Sequence, residues 1–279
     1  MMPPLFGFRL RPLSEIVQGW RAADYDVQNY LKGWFWLTYG WYWIVTPDGD
    51  VPLNNLEFNA AFALPQDLDP HLDYQVARLW IDLEEMLPNI LEPLPAELAS
   101  AMASGAWETW WSALQVWWEK LPDDAGNAES RWDAWYLAIS WWASRHLDMG
   151  YLKAPPVFRF WRVGDTVTLS WDTREKRVGG ALCWVETQGQ TTLPVGEFLA
   201  EVEDFRARLD TAMQGRLREV EALGLLDAAA RASLEKQHHL TLHTEARPAE
   251  PTDWNVVLSA IQTLEAGSGM LLGREELRR

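Results

Sequence analysis

Three of the five histidines fall within residues 237–243 (His238, His239 and His243), and this is the densest set of side chains able to do chemistry. In a strand, His239 and His243 would share a face. In a helix they would sit one turn apart. Either spacing lets two imidazoles reach one transition-metal ion, with a carboxylate such as Glu245 as a third ligand. No second ligand motif and no HExxH accompany them, so packing or surface histidines are the expected reading. His239 and His243 remain the metal candidates, and no cofactor is expected.

The other candidates carry less. Forty acids allow carboxylate pairs to be nominated almost anywhere; Glu84-Glu85 and Asp123-Asp124 read as solvated charge on a helix face and in a loop. Cys183 lies among apolar neighbours with no cation beside it, as a buried structural thiol would, and a single cysteine closes no internal disulfide. His71 reads as a surface contact. The glycines at 179–180 and 267–269 lack the spacing of phosphate loops. No catalytic signature emerges, and a non-enzymatic role is expected.

Nineteen tryptophans set the terms for the rest: so many indoles build a thick core, a wide aromatic binding surface, or both. Several are adjacent, as at Trp110/Trp111, Trp117/Trp118 and Trp141/Trp142; in a helix such neighbours lie about 100° apart and widen the apolar face. Trp-lined clefts with acids also serve glycoside hydrolases, but here the aromatics mostly follow helical periods, which points to burial.

The elements that must position these groups follow from periodicity. Residues 6–13 read as a short strand running into a turn. Residues 33–45 read as an aromatic hairpin turning at Tyr39-Gly40, with Trp41, Trp43 and Val45 on one face of its second strand. Residues 47–50 are a turn, and 54–70 a loop. Asp73 is the expected N-cap of a helix whose stripe is Val76, Leu79, Trp80, Leu83 and Leu87, ended or kinked by Pro88 and Pro93. A second helix is expected over 95–121. A third, capped by Ser130, has Trp132, Trp135, Tyr136, Ile139, Trp142 and His146 on its stripe and Trp141 at the edge. Residues 157–161, 166–171 and 181–187 read as a three-stranded meander. Helices return at 195, about 227–238 and about 253–264, with a tail over 267–279.

The formal charge is −16, of which residues 67–148, with fifteen acids against four bases, supply −11. A field of this sign repels phosphate backbones and attracts basic partners, so nucleic acid is disfavoured. No apolar run approaches the roughly 20 residues of a membrane span. The N-terminus lacks the layout of a secretory signal, and the expected location is cytoplasmic.

The motifs LRPL (10–13), LTYGWYWI (37–44) and DYQVARLW (73–80), followed by Trp161-Arg162, Gly164-Asp165 and Trp171-Asp172, resemble an uncharacterised bacterial domain family of unknown function. The resemblance runs over about residues 5–210. It implies no activity and no catalytic residues. That family more often carries an acid where this chain has Tyr39; were that acid catalytic there, its absence here would count against an enzyme.

The fold expected is α+β: a Trp-rich helical layer packed on small antiparallel sheets, with C-terminal helices. The expected division is an aromatic core domain over 1–194 and a peripheral helical extension and tail over 195–279. The expected function is an acidic binding protein, of the immunity or antitoxin type, that neutralises a basic toxin or effector. Trp110, Trp118 and Trp141 would make contact, while Asp123, Asp124 and Glu129 steer the partner. The alternative is an enzyme or small-ligand binder with a Trp-lined pocket. Self-pairing through the C-terminal helices, especially 198–213, is the expected route to a homo-oligomer.

Overall fold

The computed structural model describes residues 3–64, 68–121, 128–243 and 250–272, with side chains from 131 onward in the third stretch. Strand β1 (Phe6–Leu10) leads into helices α1 (Leu13–Ala22) and α2 (Val27–Leu31). Strand β2 (Tyr39–Thr46) alternates strictly: Tyr42 and Ile44 are buried, while Trp41, Trp43 and Val45 lie on the half-covered face. Along one edge β2 pairs antiparallel with β1, from Phe6 opposite Ile44 to Leu10 opposite Gly40. It also pairs with β3 (Gly49–Val51) and, further along, with β4 (Leu72–Gln75). A Cβ at Gly40 would lie 2.2 Å from the Arg9 carbonyl oxygen, so this crossing accepts only glycine.

The aromatic hairpin expected over 33–45 is therefore only half right. Residues Trp34–Thr38 form a 3-10 turn, because β1 already occupies the place beside β2 that a hairpin partner would take. The turn buries Trp34, Leu37 and Thr38 together. Residues 47–50 do close a hairpin, between β2 and β3. Helix α3 (Leu56–Ala61) occupies part of the stretch read as loop. Asp73 is not a cap: it pairs with Trp41 in β4, and helix α4 (Val76–Leu91) starts three residues later, running through Pro88.

The single helix expected over 95–121 is two, α5 (Ala96–Ser104) and α6 (Ala106–Trp118), broken where Gly105 takes φ of 74°. Helix α7 (Ala128–Ala143) already contains position 130, so Ser130 is not its cap. Its buried stripe is Ala134, Ala138 and Trp141, continued by Arg145 after the helix. The expected stripe is rotated outward, leaving Trp132 and Tyr136 exposed.

The meander is built from β5 (Val157–Val163), β6 (Thr166–Asp172) and, later than expected, β9 (Gln188–Pro194). The intervening residues give only the two-stranded ribbon of β7 (Arg177–Val178) and β8 (Ala181–Leu182). The Thr173 hydroxyl donates to the carbonyls of Val185 and Thr187, which holds 185–187 as an irregular crossing rather than a ladder.

Helices α8 (Val195–Ala222), α9 (Ala228–His243) and α10 (Trp254–Ser268) follow. They are not a peripheral extension. Phe198, Val202, Phe205, Leu209 and Met213 of α8 are buried in the core that also contains Phe6, Phe158 and Phe160. The stripe expected to pair with a second copy is thus filled within the chain. Helix α10 packs on α7 in a second core, made with α5 and α6 and bordered by Trp161. The fully buried Arg145 ties the pieces together: it donates to the Trp141 carbonyl (2.7 Å) and to Glu92 Oε2 (3.1 Å), whose carboxylate also takes the Thr252 backbone N–H (2.7 Å). The architecture is α+β, with Trp-rich clusters on small antiparallel sheets. Among the described residues no helix is long and apolar enough to cross a membrane.

Candidate functional site

Helix α4 carries an acid on its apolar stripe. Asp82 stands among Leu79, Leu83, Met86 and Ile90, and its side chain is 2% exposed. Its face of α4, with Glu85, Met86 and Asn89, forms one wall of a cleft of about 270 Å³. The end of α7 and the following turn form the other wall, with Ala143, Ser144, His146 and Asp148. Arg78, one turn before Asp82, brings Nη2 to 2.6 Å from Asp82 Oδ1 and 3.4 Å from Asp148 Oδ2. The Arg78 guanidinium thus pairs with Asp82 Oδ1, and Asp82 Oδ2 has no hydrogen-bond donor among the described residues. Deeper in, the hydroxyls of Tyr42 and Tyr151 hydrogen-bond each other, and Tyr151 stacks on Tyr74 at 4.2 Å.

Two titratable groups here are displaced by burial, each toward its uncharged form. Burial drives the Asp82 carboxyl up to about 7; the Arg78 guanidinium opposes this, and Asp148 and Glu85 add to it. Burial, followed by the nearby Arg159 guanidinium, brings His146 down to about 4. At pH 7 the imidazole is neutral, its Nε2 is buried without a partner, and its ring lies over Trp142 at 5.9 Å. The cleft is therefore lined by a buried carboxyl that titrates near neutrality beside Arg78, two further acids and a neutral imidazole.

Asp82 and His146 were not singled out from the sequence as chemistry. A signal existed for Asp82, since an acid at the 79–82–86 positions of an apolar stripe must be desolvated. His146 was placed on a stripe but not opposite α4, a long-range juxtaposition. Glu85 and Glu84 were read as solvated; Glu85 does line the cleft rim, and partial burial raises Glu84.

The histidine cluster on α9 assembles differently from the expected pair. His238, His243 and Asp210 of α8 bring their ligand atoms within 4.8 Å of one another, whereas His239 is exposed and stacks on His243 at 5.4 Å. The Trp34 indole N–H donates to His238 Nδ1 (3.0 Å), which makes Nδ1 the acceptor. The ring proton must then sit on Nε2, donated to Asp210 Oδ1 at 2.9 Å. Arg206 Nη1 likewise faces His243 Nδ1 at 3.3 Å, leaving Nε2 protonated 3.6 Å from the same Asp210 oxygen. Both imidazoles thus present N–H groups where a metal needs lone pairs. The donor set fits a carboxylate clamp that fastens α9 to α8 and to Trp34, not a metal centre. Glu245 lies outside the described residues.

The residues expected to meet a partner divide in the same way. Trp110 (4% exposed) and Trp141 (2%) are buried in the helical core, where Trp141 packs edge-on to Trp107 at 4.7 Å; neither presents a surface, because the α7 stripe faces α6 and α10 through Trp141. Trp118 is half-buried and supports the exposed Trp132 at 4.9 Å and the half-buried Trp135 at 4.5 Å. Asp123 and Asp124 lie outside the described residues. Position 129 lies within α7, but the Glu129 side chain is not among those described. The sequence placed Trp132 and Tyr136 in the core stripe, yet they are 57% and 69% exposed, one turn apart, with exposed Asp133 adjoining Trp132 in the chain. Cys183 is buried as expected, and burial raises its thiol.

A family model described as "Family of unknown function (DUF5984)" matches residues 5–260, beyond the stretch over which the motifs were read. No curated protein and no solved structure matches the chain.

Proposed function

The chain belongs to that family of unknown function, and from this premise we propose that it is a non-enzymatic binding protein that neutralises a basic protein partner, in the manner of an immunity protein facing its toxin. The observation that carries this reading is the aromatic ridge of Trp132 and Tyr136, exposed on α7 within the stretch that holds −11 of the −16 net charge. Large exposed aromatics rimmed by acids combine long-range steering of cations with short-range cation–π and apolar contact. Trp118 packs edge-on against Trp132 at 4.9 Å and is itself backed by Trp135 at 4.5 Å, which limits the rotamers Trp132 loses on binding. A cytoplasmic location fits the charge and the lone thiol.

The test is capture of partners by the tagged protein from its native host at low and high salt, beside the double variant Trp132→Ala/Tyr136→Ala. One basic protein at near-equal amount with wild type, weakened by salt and lost from the variant, is the expected result. A basic partner held equally by the variant would remove the ridge from the reading; capture of no protein at either salt would remove the reading itself.

A further inference from the structure

A strand at the side of a sheet leaves one row of backbone N–H and C=O groups without a ladder, and such a row templates pairing with another chain unless something blunts it. Two outer strands here are covered. On the outward row of β5, the Phe158 carbonyl accepts the Leu147 N–H (3.0 Å), the Phe160 N–H donates to the Arg145 carbonyl (2.9 Å), and the Arg162 carbonyl accepts the Leu94 N–H (3.0 Å). At the start of β1, Arg208 Nη2 donates to the Phe6 carbonyl (2.7 Å) and the Leu5 N–H donates to Glu201 Oε2 (2.6 Å). Strand β9 has no such cover. Because Phe158, Phe160 and Arg162 face away from β6, the alternation of an antiparallel ladder turns Val167, Leu169 and Trp171 of β6 toward β9, where they bond Leu193, Thr191 and Gly189. The backbone groups of Gln188, Gln190 and Thr192 therefore point outward. No group among the described residues bonds them there, and all three residues are exposed.

The edge also lacks the guards that edges commonly carry. Strand β9 pairs with β6 over seven consecutive residues without a bulge, no residue from Thr187 to Pro194 is charged, and its one proline is the last residue. Gly189 lets the strand lie flat: a Cβ there would stand 2.4 Å from the Trp171 ring, so the indole lies directly against the backbone. We propose that this edge pairs with a second copy of the same chain, β9 against β9, antiparallel about a two-fold axis at Gln190. The charge pattern selects that occupant. Two chains of net charge −16 repel each other, and an uncharged edge lets them meet without opposing acids. A basic partner finds no acid along β9 to hold it. The register centred on Gln190 uses the whole outward row. Gln190 faces the second copy's Gln190, Gln188 faces its Thr192, and the bonded pairs exchange about six N–H···O=C bonds. Glu186, the nearest acid in the chain, then comes opposite the second copy's Pro194 rather than another acid. The two three-stranded sheets become one.

The experiment is sedimentation equilibrium of the full chain over a range of concentration, with amide hydrogen exchange at the lowest and the highest. The expected result is a reversible monomer–dimer equilibrium. The amides of Gln188, Gln190 and Thr192 should gain protection as dimer forms, while those of Gly189, Thr191 and Leu193 are protected throughout. Gln190→Pro removes an N–H that β6 does not use, and should weaken the dimer about tenfold or more, since each copy loses a bond. Gln190→Glu and Gln190→Lys place like charges opposite each other at an exposed position; each should weaken the dimer, and an equimolar mixture of the two should restore it. That mixture tests the register independently of whether the proline variant folds. A monomer at every concentration would leave the edge to a foreign strand and overturn the proposal. So would a dimer untouched by all three substitutions in folded protein, or one lost instead in Trp132→Ala/Tyr136→Ala, which would place the interface on α7.

Discussion

The two cores of this protein treat the same side chain in different ways. In the sheet-and-helix core, buried indoles reach defined acceptors: Trp34 donates to His238 Nδ1 (3.0 Å), Trp80 to the Thr241 carbonyl (2.8 Å) and Trp184 to the Ala154 carbonyl (2.7 Å). In the helical core, the N–H groups of Trp107, Trp141 and Trp142 have no hydrogen-bond acceptor among the described residues, and Trp110 makes only a long bond of 3.4 Å to Met270. There the rings meet one another instead, Trp107 with Trp110 at 5.1 Å and with Trp141 at 4.7 Å. The difference teaches what the indoles are for. Trp34, Trp80 and Trp184 in the first core each fix a long-range register between elements. Those in the second core supply bulk and flat surface that brace the aromatic ridge and the wall of the cleft, at the cost of unsatisfied donors.

The sharpest way to break this comparison is a matched pair of substitutions. Trp34→Phe strands the His238 acceptor as well as losing volume, and should cost about 3 kcal/mol; Trp107→Phe removes a donor that had no partner, and should cost about 1 kcal/mol. Denaturant unfolding of the two variants decides the matter, and equal losses would show that the hydrogen bonds do not distinguish the cores.

The next largest effect lies in the cleft and depends on pH. Asp82 is raised to about 7 in the fold, so its contribution is fully present below the unfolded carboxyl value and is lost as pH rises through 7. His146 is lowered to about 4, so its contribution is present above the unfolded imidazole value and is lost as pH falls toward 4. Over the interval between, the two slopes oppose each other in the wild type. Asp82→Asn should expose the histidine slope, with melting temperature falling as pH drops from 6.5 toward 4, and should gain roughly 2 °C or more on wild type at pH 8. His146→Gln should expose the carboxyl slope, with stability rising as pH falls below 7. Parallel pH profiles for all three proteins would show that the two groups do not titrate as placed.

Trp132→Ala and Tyr136→Ala are expected to change unfolding stability by less than about 0.5 kcal/mol each, as exposed sites do. A larger loss would make the ridge part of the core rather than a surface braced by it. The smallest effect concerns Cys183, which should react with a thiol reagent far more slowly in the native protein than after denaturation, because burial raises its thiol. Rapid native reaction would show that the strand region opens.

Periodicity made α4, α8 and the β5–β6 hairpin legible, since each alternates or steps with one mainly apolar stripe. It misplaced the register of α7 because apolar residues lie all around that helix: Trp132, Tyr136, Trp141 and Trp142 permit more than one stripe, and contact with α6 and α10 selects Ala134, Ala138 and Trp141. It misread 34–38 as a strand because the aromatics there suit either state, and the nonlocal pairing of β1 with β2 chooses. Asp82 was legible as an acid on an apolar stripe; its partner across the cleft was not, since no local pattern relates positions 82 and 146.

By itself the sequence determined the α+β class, the acidic field over residues 67–148, the buried thiol and the wealth of aromatic surface to be placed. These follow from composition and short-range period, which survive any arrangement of the elements. Only the tertiary structure decided which indoles are buried and which face water. It also decided that the histidines of α9 hold protons toward Asp210 rather than lone pairs toward a metal, and that Asp82 and His146 line one cleft. Each of those depends on which face meets which neighbour, and on desolvation, which is a property of the packed chain and of no residue alone.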